Sequence, residues 1–219
     1  MKSLIIKDMI TIKKMAKSIA YIFLVPIVFM IIGNDNQTFM CSYLIMMGSI
    51  LVNNTISYDE FNHGLSYMMT LPLNRQQYVY SKYVVGLMLL CGFGLIGLII
   101  TCGMSLIQPS QLGSSELLFF FIIMLLLGIF LMSVNIPLHL KFGGEKGRMM
   151  GIAVYLTIFI AVMVVAKLVS LFNVNTVSIL KFLVGLNQFQ ALLVVGVLVI
   201  IMMLISIKIS ERIMLKKEF

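Results

Sequence analysis

Long apolar runs without charged residues restrict the fold of this chain more than any other feature. A membrane-spanning helix needs roughly 20 mostly apolar residues, and in the bilayer interior only helices and closed barrels satisfy their backbone hydrogen bonds. Of the 219 residues, 61% are hydrophobic and 11% are charged, which is more apolar surface than a soluble domain buries. The sequence predicts an all-α integral membrane protein, one transmembrane domain over residues 1–219 with six spans. The spans lie at about 18–33, 38–57, 83–107, 117–138, 149–169 and 191–207.

The first apolar run follows a basic N-terminal segment, which is also the layout of a cleaved signal peptide. Pro26 lies in the middle of this run, and no small-residue cleavage site follows Ile32. The residues after it, Gly33-Asn34-Asp35-Asn36, are typical of a tight turn into another apolar run. We therefore expect residues 18–33 to remain as an uncleaved first span.

Lysine and arginine are distributed unevenly between the predicted loops. Fourteen of the 16 lie in 1–17, 58–82, 140–148 and the segment from Lys208 onward. Basic loops stay on the cytoplasmic side of a membrane, and six spans return a chain to the side on which it began. The pattern therefore predicts that both termini are cytoplasmic.

The formal net charge of +8 raises the question of a nucleic-acid partner. The basic residues are spread over segments beside the membrane instead of being gathered in one folded domain. Anionic lipid headgroups are therefore the expected partner, and no nucleic-acid binding is predicted. The three cysteines, Cys41, Cys91 and Cys102, lie inside predicted spans, so no disulfide framework or metal site is predicted.

Residues 1–17 contain an apolar stripe with helical spacing. Its members are Ile5, Met9, Ile12 and Ala16, while Ser3, Lys7 and Lys14 fall on the other side. The stripe predicts an amphipathic helix lying in the membrane interface. A basic flank that only orients the first span explains the lysines equally well, but it does not explain the stripe.

Polar side chains recur on one face of the second span. They are Ser42, Ser49, Asn53 and Ser57. Polar groups in lipid need partners, so this face is a candidate for a subunit interface or a transport pathway, with hydrogen bonding to a neighbouring helix as the simpler explanation. Small residues on one face of the third span predict the close approach of another helix. They are Gly86, Gly94, Gly97, Thr101 and Ser105.

No catalytic motif is present in the sequence. The stretch 143–148, Gly-Gly-Glu-Lys-Gly-Arg, lacks the spacing of a phosphate-binding loop, and there is no nucleophile-elbow or zinc-protease motif. His63 and His139 have no nucleophile nearby and are expected to be solvated or at helix ends. We predict no catalytic, cofactor-binding or metal-binding residues, and therefore a chain that is not itself an enzyme.

The segment 58–82 is the one long polar interruption in the first half of the chain. Asn74, followed three residues later by Gln77, is a capping-box pattern, so we expect a helix to begin there and to continue into the third span. The predicted loop is therefore ordered, with a surface suited to a soluble partner.

The order of residues in this loop resembles the cytoplasmic loop of ABC-2-type transporter permeases. The resemblance lies in the acids, the Gly-Leu pair, the Leu-Pro pair, the basic residue and the Lys-Tyr pair before the third span. Six spans, an interfacial N-terminal helix and cytoplasmic ends match the plan of that family over essentially the whole chain. The usual Gly-Thr-Leu of the family stands here as Gly64-Leu65-Ser66, so the family's threonine has no strict counterpart.

The resemblance implies a function. In that family the loop carries a coupling helix that docks on a separate ABC ATP-binding subunit, itself a dimer, which binds ATP and Mg²⁺, and two identical or homologous permease subunits form the pathway. The contact residues implied here are Asp59, Glu60, Gly64, Leu65, Leu71, Pro72 and Arg75. The implied location is the bacterial plasma membrane. The small size resembles permeases that export amphipathic peptides, such as phenol-soluble modulins, or that serve lantibiotic self-protection.

Two other classes of membrane protein are alternatives to a permease. A substrate-capture subunit of an energy-coupling vitamin importer also has six spans, and Ala16-x-x-x-Ala20 resembles its motif weakly. Such a subunit does not need an ordered loop after the second span. An intramembrane protease would need a nucleophile and a base at one membrane depth, and none is visible.

Overall fold

The computed structural model describes residues 2–32, 37–61, 64–70, 74–107, 114–171 and 188–217. Within these ranges the chain is helical, without strands. The helices are α1 (Lys2–Lys14), α2 (Ala16–Ile32), α3 (Gln37–Glu60), α4 (Gly64–Thr70), α5 (Arg75–Ile107), α6 (Ser114–Phe142), α7 (Gly144–Leu171) and α8 (Gln188–Lys216).

Five helices in the described ranges are long and apolar enough to cross a membrane. Their apolar stretches are Phe39–Glu60, Arg75–Gly103, Glu116–Phe142, Gly144–Val164 and Phe189–Lys216. These stretches overlap the second to sixth predicted spans, whose crossing of a membrane stays a prediction. The first predicted span coincides with α2, which has 17 residues and contains Pro26.

Helices extend well into the segment that was predicted as the 58–82 loop. α3 continues to Glu60, α4 follows, and α5 begins at Arg75. Asn74 Oδ1 accepts a hydrogen bond of 3.1 Å from the backbone N–H of Gln76, so the predicted helix start is confirmed. The helices are longer than the apolar runs because helical backbone hydrogen bonding continues into the polar residues that follow each run.

α3 lies at the centre of the bundle, where it packs against α5 and α6 and, to a lesser extent, α7. Glycines permit this close packing. A Cβ at Gly97 of α5 would lie 3.3 Å from Cα of Cys41 in α3, and a Cβ at Gly94 would lie 3.2 Å from Leu125 in α6. The predicted close approach of helices to the small-residue face of α5 is thus confirmed for these two glycines.

Pro137 removes one backbone hydrogen bond from α6, and the group left unpaired connects α6 with α8 and α5. Pro137 has no N–H to bond the carbonyl of Ser133 four residues earlier, and Ser206 of α8 donates its hydroxyl to that carbonyl instead. Tyr83 of α5 lies 2.6 Å from Ser206 Oγ and 3.0 Å from Ser210 Oγ. Because Ser206 has one proton and uses it on Ser133, Tyr83 donates to Ser206 and Ser210 donates to Tyr83.

One end of the bundle carries most of the polar contacts between helices. Glu60 at the end of α3 contacts Gly144 at the start of α7. Arg75 at the start of α5 contacts the last turn of α8. We call this end, where α3, α6 and α8 finish and α5 and α7 begin, the basal end.

α1 joins the basal end through a mixed face. The buried residues of α1 are Leu4, Asp8 and Thr11. Of the predicted stripe, Ile5 and Ile12 pack partly against the core, whereas Met9 is 43% exposed. Lys7, expected on the far side, contacts Asp59 of α3. The predicted face was wrong in this respect because it counted only apolar residues, while an aspartate and a lysine also face the bundle.

Candidate functional site

Two lysines and two aspartates form a buried ion cluster at the basal end, between α1, α3 and α5. The cluster consists of Lys7, Asp8, Asp59 and Lys82. Lys82 Nζ lies 2.8 Å from Asp8 Oδ2 and 2.7 Å from Asp59 Oδ2. Lys7 Nζ lies 2.6 Å from Asp59 Oδ1 and 3.0 Å from Asp8 Oδ1. The side chain of Lys82 is 0% exposed and that of Asp8 is 1% exposed, so these charges neutralise one another away from solvent.

Neighbouring side chains complete the hydrogen bonding of the ion cluster. Lys82 Nζ donates to Thr55 Oγ1 at 3.2 Å, and Tyr78 donates its hydroxyl to Asp59 Oδ2 at 3.0 Å. Lys82 Nζ also lies 5.2 Å from the centroid of the Tyr78 ring, which is within cation–π range. A buried ion pair is tolerated when its remaining hydrogen-bonding capacity is met in this way.

The ion cluster follows from helical spacing on two elements. Thr55 and Asp59 are four residues apart in α3, and Tyr78 and Lys82 are four residues apart in α5, so each pair shares one face. α1 adds Asp8, the one acidic residue in its range. The sequence-based prediction missed this cluster, although isolated charges beside apolar runs were the available signal.

Glu60 joins the end of α3 to two other elements. Its Oε2 accepts a hydrogen bond of 2.7 Å from the backbone N–H of Gly144, and its Oε1 lies 2.7 Å from Lys217 Nζ. Lys217 Nζ also donates to the carbonyl of Leu140 at 2.9 Å. Glu60 therefore connects α3 with the α6–α7 turn and with the end of α8.

The turn beneath Glu60 requires glycine at two successive positions. Gly143 has φ of +85°, which L side chains rarely adopt, and a Cβ there would lie 2.8 Å from Glu60 Oε2. A Cβ at Gly144 would lie 2.6 Å from the Ser57 side chain. The glycine-rich stretch that lacks phosphate-loop spacing thus has a steric role against α3.

Arg75 caps the last turn of α8. Its Nη1 lies 3.1 and 3.0 Å from the carbonyl oxygens of Met214 and Leu215 in that turn and 3.2 Å from that of Lys217 just after it, so the three acceptors share its two N–H groups. Carbonyls in the last turn of a helix have no partner within the helix and carry the negative end of its dipole. The guanidinium group supplies hydrogen bonds to these carbonyls and a positive charge at the negative end of the dipole. The start of α5 and the end of α8 are therefore held together.

α4 has one buried side and one exposed side. Leu65 is buried in the core, and a Cβ at Gly64 would lie 2.8 Å from the carbonyl oxygen of Asp59. Tyr67 of α4 and Phe61 just before it are both 71% exposed. Leu71, Pro72 and His63 lie outside the described residues.

The seven residues implied as contacts of an ATP-binding subunit are thus in different environments. Asp59 and Leu65 are buried within this chain, while Glu60 and Arg75 bond to other parts of it. Their contact with a partner stays a prediction.

The polar face of α3 is largely satisfied within its own helix. Ser49 donates to the carbonyl of Met46 at 2.7 Å, and Ser57 donates to the carbonyl of Asn53 at 3.0 Å. Ser42 is partly buried and also has an interaction within the chain. Asn53 is buried, and its Oδ1 accepts no hydrogen bond from the described residues. The role of this face as a pathway or subunit interface stays a prediction.

Two further expectations concern metal ligands and histidine. Within the described ranges no group of three His, Cys, Asp or Glu side chains comes together to hold a metal. His139 lies in the last turn of α6, as a helix-end residue, but it is buried against Gly147 of α7 and is not solvated. His139 is buried because α7 packs against α6, a contact that the sequence pattern alone did not predict.

Comparison with known proteins gives one match. The chain matches no curated protein and no solved structure. The model of the family described as ABC-2 family transporter protein matches residues 3–214, nearly the whole chain. This range includes the ion cluster, α4 and the five apolar helices except for the last two residues of α8. The chain is therefore a multi-pass membrane component of a transporter, and it belongs to the ABC-2 transporter family.

Proposed function

We propose that this chain is the permease subunit of a bacterial ABC exporter and pairs with a separately made ATP-binding subunit. Membership of the ABC-2 family carries this proposal. In it, ATP and Mg²⁺ are bound by the partner, and two permease subunits, identical or homologous, form the pathway. An amphipathic peptide is the proposed cargo, on the resemblance of this small chain to peptide-exporter permeases. The family match does not favour a vitamin importer.

The proposed topology has six spans, with α2 as the first and both termini in the cytoplasm. α2 has 17 residues, which is at the lower limit of the roughly 17–25 residues of a membrane-spanning helix. Lys7 near one end of the chain and Lys217 near the other both contact α3 residues at the basal end. A cytoplasmic basal end agrees with the basic residues of the predicted inner loops.

We further propose that exposed aromatic side chains around α4 form the contact with the ATP-binding subunit. Phe61 and Tyr67 are each 71% exposed, and Tyr58 is 50% exposed. Aromatic side chains are enriched among the residues that dominate the energy of protein interfaces. In this arrangement Leu65 anchors α4 in the core. Glu60 and Arg75 hold the end of α3 and the start of α5, the helices before and after α4, against the rest of the bundle.

Co-purification from native membranes tests this proposal. The tagged full chain is expected to retain an ABC ATP-binding subunit, identified by mass spectrometry. Tyr67→Ser is expected to weaken this association by about thirtyfold, the equivalent of a roughly 2 kcal/mol interface residue. Tyr21→Ser is the matched control, because Tyr21 of α2 is 72% exposed but distant in sequence from α4.

Three results would be informative against the proposal. Retention of a tightly bound vitamin without any ATPase would support the importer class instead. An ATPase that binds Tyr67→Ser and the parent chain equally would leave the permease role intact but remove α4 as the contact. Equal weakening by Tyr21→Ser would mean that the loss is not specific to α4.

A further inference from the structure

An apolar groove with a basic mouth runs along the surface of the basal half of the bundle. It has a volume of about 760 Å³ and lies between α6 and α8, with Val154 of α7 at its side. This volume is within the roughly 300–1,000 Å³ typical of ligand pockets. The groove is not part of the ion cluster or of the surface around α4.

The walls of the groove are suited to a hydrocarbon chain. Val134 and Leu138 of α6 face Met202, Ile205 and Ile209 of α8 across it, and the last three are 42–49% exposed. The groove is therefore open on the side that a bilayer would cover.

The two serines that line the groove have no hydroxyl proton left for a ligand carbonyl, and Ser133 donates its proton to the carbonyl of Ile129. Ser206 donates its proton to the carbonyl of Ser133 at the Pro137 break, and Tyr83 donates to Ser206. The carbonyls of a peptide in this groove would find no donor among these serines, and an unpaired carbonyl in an apolar environment costs several kcal/mol. An acyl chain has no such groups.

Four cations line the basal mouth of the groove, and one of them, Lys217, pairs with Glu60. The other three are Lys141 at the end of α6 and Arg212 and Lys216 in the last turns of α8. All three are exposed, and among the described residues none of them forms an ion pair. Arg212 and Lys216 are four residues apart on one helix face, where like charges repel each other. An anion at the mouth would relieve this repulsion.

We propose that the groove binds a phospholipid with an anionic headgroup. Its acyl chain lies between α6 and α8, and its phosphate contacts Lys141, Arg212 and Lys216. Met202 and Lys216 are 14 residues apart, which is about 21 Å along a helix, so the groove accommodates one headgroup and much of one chain. The bound lipid would hold the end of α8 against α6. This proposal requires a membrane location and is independent of the ATP-binding partner.

Lipid titration of the purified full chain tests the proposal. The chain is placed in phosphatidylcholine nanodiscs and phosphatidylglycerol is added, with the melting temperature and the bound lipid measured, the latter by native mass spectrometry. Phosphatidylglycerol is expected to bind and to raise the melting temperature above that in phosphatidylcholine alone. The double variant R212Q/K216Q is expected to bind it about thirtyfold more weakly, at roughly 1 kcal/mol per cation.

Three further variants distinguish the contributions of the acyl chain, the lipid headgroup and the overall protein charge to binding. K13Q/K14Q removes two exposed lysines of α1 and is expected to bind like the parent. R212K/K216R retains both charges and is also expected to bind. Ile205→Trp fills the groove with the cations intact, and it is expected to abolish binding.

Several outcomes would overturn the proposal. They are equal stabilisation by phosphatidylcholine, full binding by R212Q/K216Q, or equal loss in K13Q/K14Q. Full binding by Ile205→Trp, or equal stabilisation by soluble glycerol phosphate, would show that the mouth binds phosphate without a chain in the groove. A rise in melting temperature with an amphipathic peptide but not with phosphatidylglycerol would indicate that the groove binds a peptide.

Discussion

At the scale of single residues, the ion cluster shows how a polar segment can belong to a membrane bundle. Each of the two lysine ammonium groups lies within 3.0 Å of both aspartate carboxylates. Removal of one member leaves an unbalanced charge in a largely buried site, whereas removal of a neutral pair does not. The cluster therefore makes the free energy of unfolding sensitive to charge balance at four positions.

Lys82→Met is expected to lower the free energy of unfolding by about 3–5 kcal/mol, because Asp8 and Asp59 would then share only Lys7. Adding Asp8→Asn restores neutrality and is expected to recover part of this loss. The measurement is unfolding of the full chain in bicelles. Lys146→Met, which removes an exposed lysine from the start of α7, is the control and is expected to cost about 1 kcal/mol or less. If the losses of unfolding free energy from Lys82→Met and Asp8→Asn simply add in the double variant, the four charges are not coupled.

Glu60→Ala is expected to destabilise the basal end by about 1–3 kcal/mol, because the Gly144 N–H loses its acceptor and the Lys217 ammonium loses its carboxylate partner. Glu60→Gln keeps an acceptor for Gly144 and is expected to lose less. If Glu60 also contacts an ATP-binding subunit, co-purification should fall by more than the loss of stability explains. A Glu60→Ala chain of unchanged melting temperature would contradict the bracing role.

At the scale of elements, much of the fold could be predicted and most of the candidate site could not. Six apolar runs predicted six spans because lipid exposure requires uninterrupted apolar sequence, and five of the runs coincide with helices long and apolar enough to cross a membrane. Asn74 marked the start of α5 by its local side-chain bond. The ion pair of Asp8 and Lys82 joins residues 74 positions apart, so no local pattern contains it. The capping of α8 by Arg75 likewise depends on helix packing, which the sequence pattern does not give.

The Pro137 break in α6 gives a prediction at this scale. Ser206→Ala is expected to cost about 0.6–1.7 kcal/mol, because the Ser133 carbonyl loses its donor in an apolar environment. In a Pro137→Ala background the backbone N–H of residue 137 can bond that carbonyl, so Ser206→Ala is expected to cost less. A double-mutant cycle on thermal unfolding measures the difference. An equal cost in both backgrounds would show that the serine acts elsewhere.

At the scale of the whole molecule, the basal end gathers the ion cluster, the exposed aromatic side chains, the cap on α8 and the mouth of the groove. The far end of the bundle contains the start of α6 and the start of α8. The proposed topology therefore places nearly all of the described charge contacts on the cytoplasmic side.

Cysteine labelling in intact cells checks this orientation. Cys41, Cys91 and Cys102 are first replaced by alanine, since two of them are exposed. Glu116→Cys at the start of α6 is expected to react with a membrane-impermeant thiol reagent, while Asn74→Cys at the basal end is expected to react only after the cells are opened. The reverse labelling would invert the topology.

The burial of Lys82 also bears on how the protein is synthesised. Both acids that neutralise this lysine, Asp8 and Asp59, precede it in the chain. When α5 leaves the ribosome and enters the bilayer, the partners of its lysine have already been translated and can be in place at the same membrane surface. The charge of Lys82 can therefore be neutralised during biogenesis, before α6, α7 and α8 have been made.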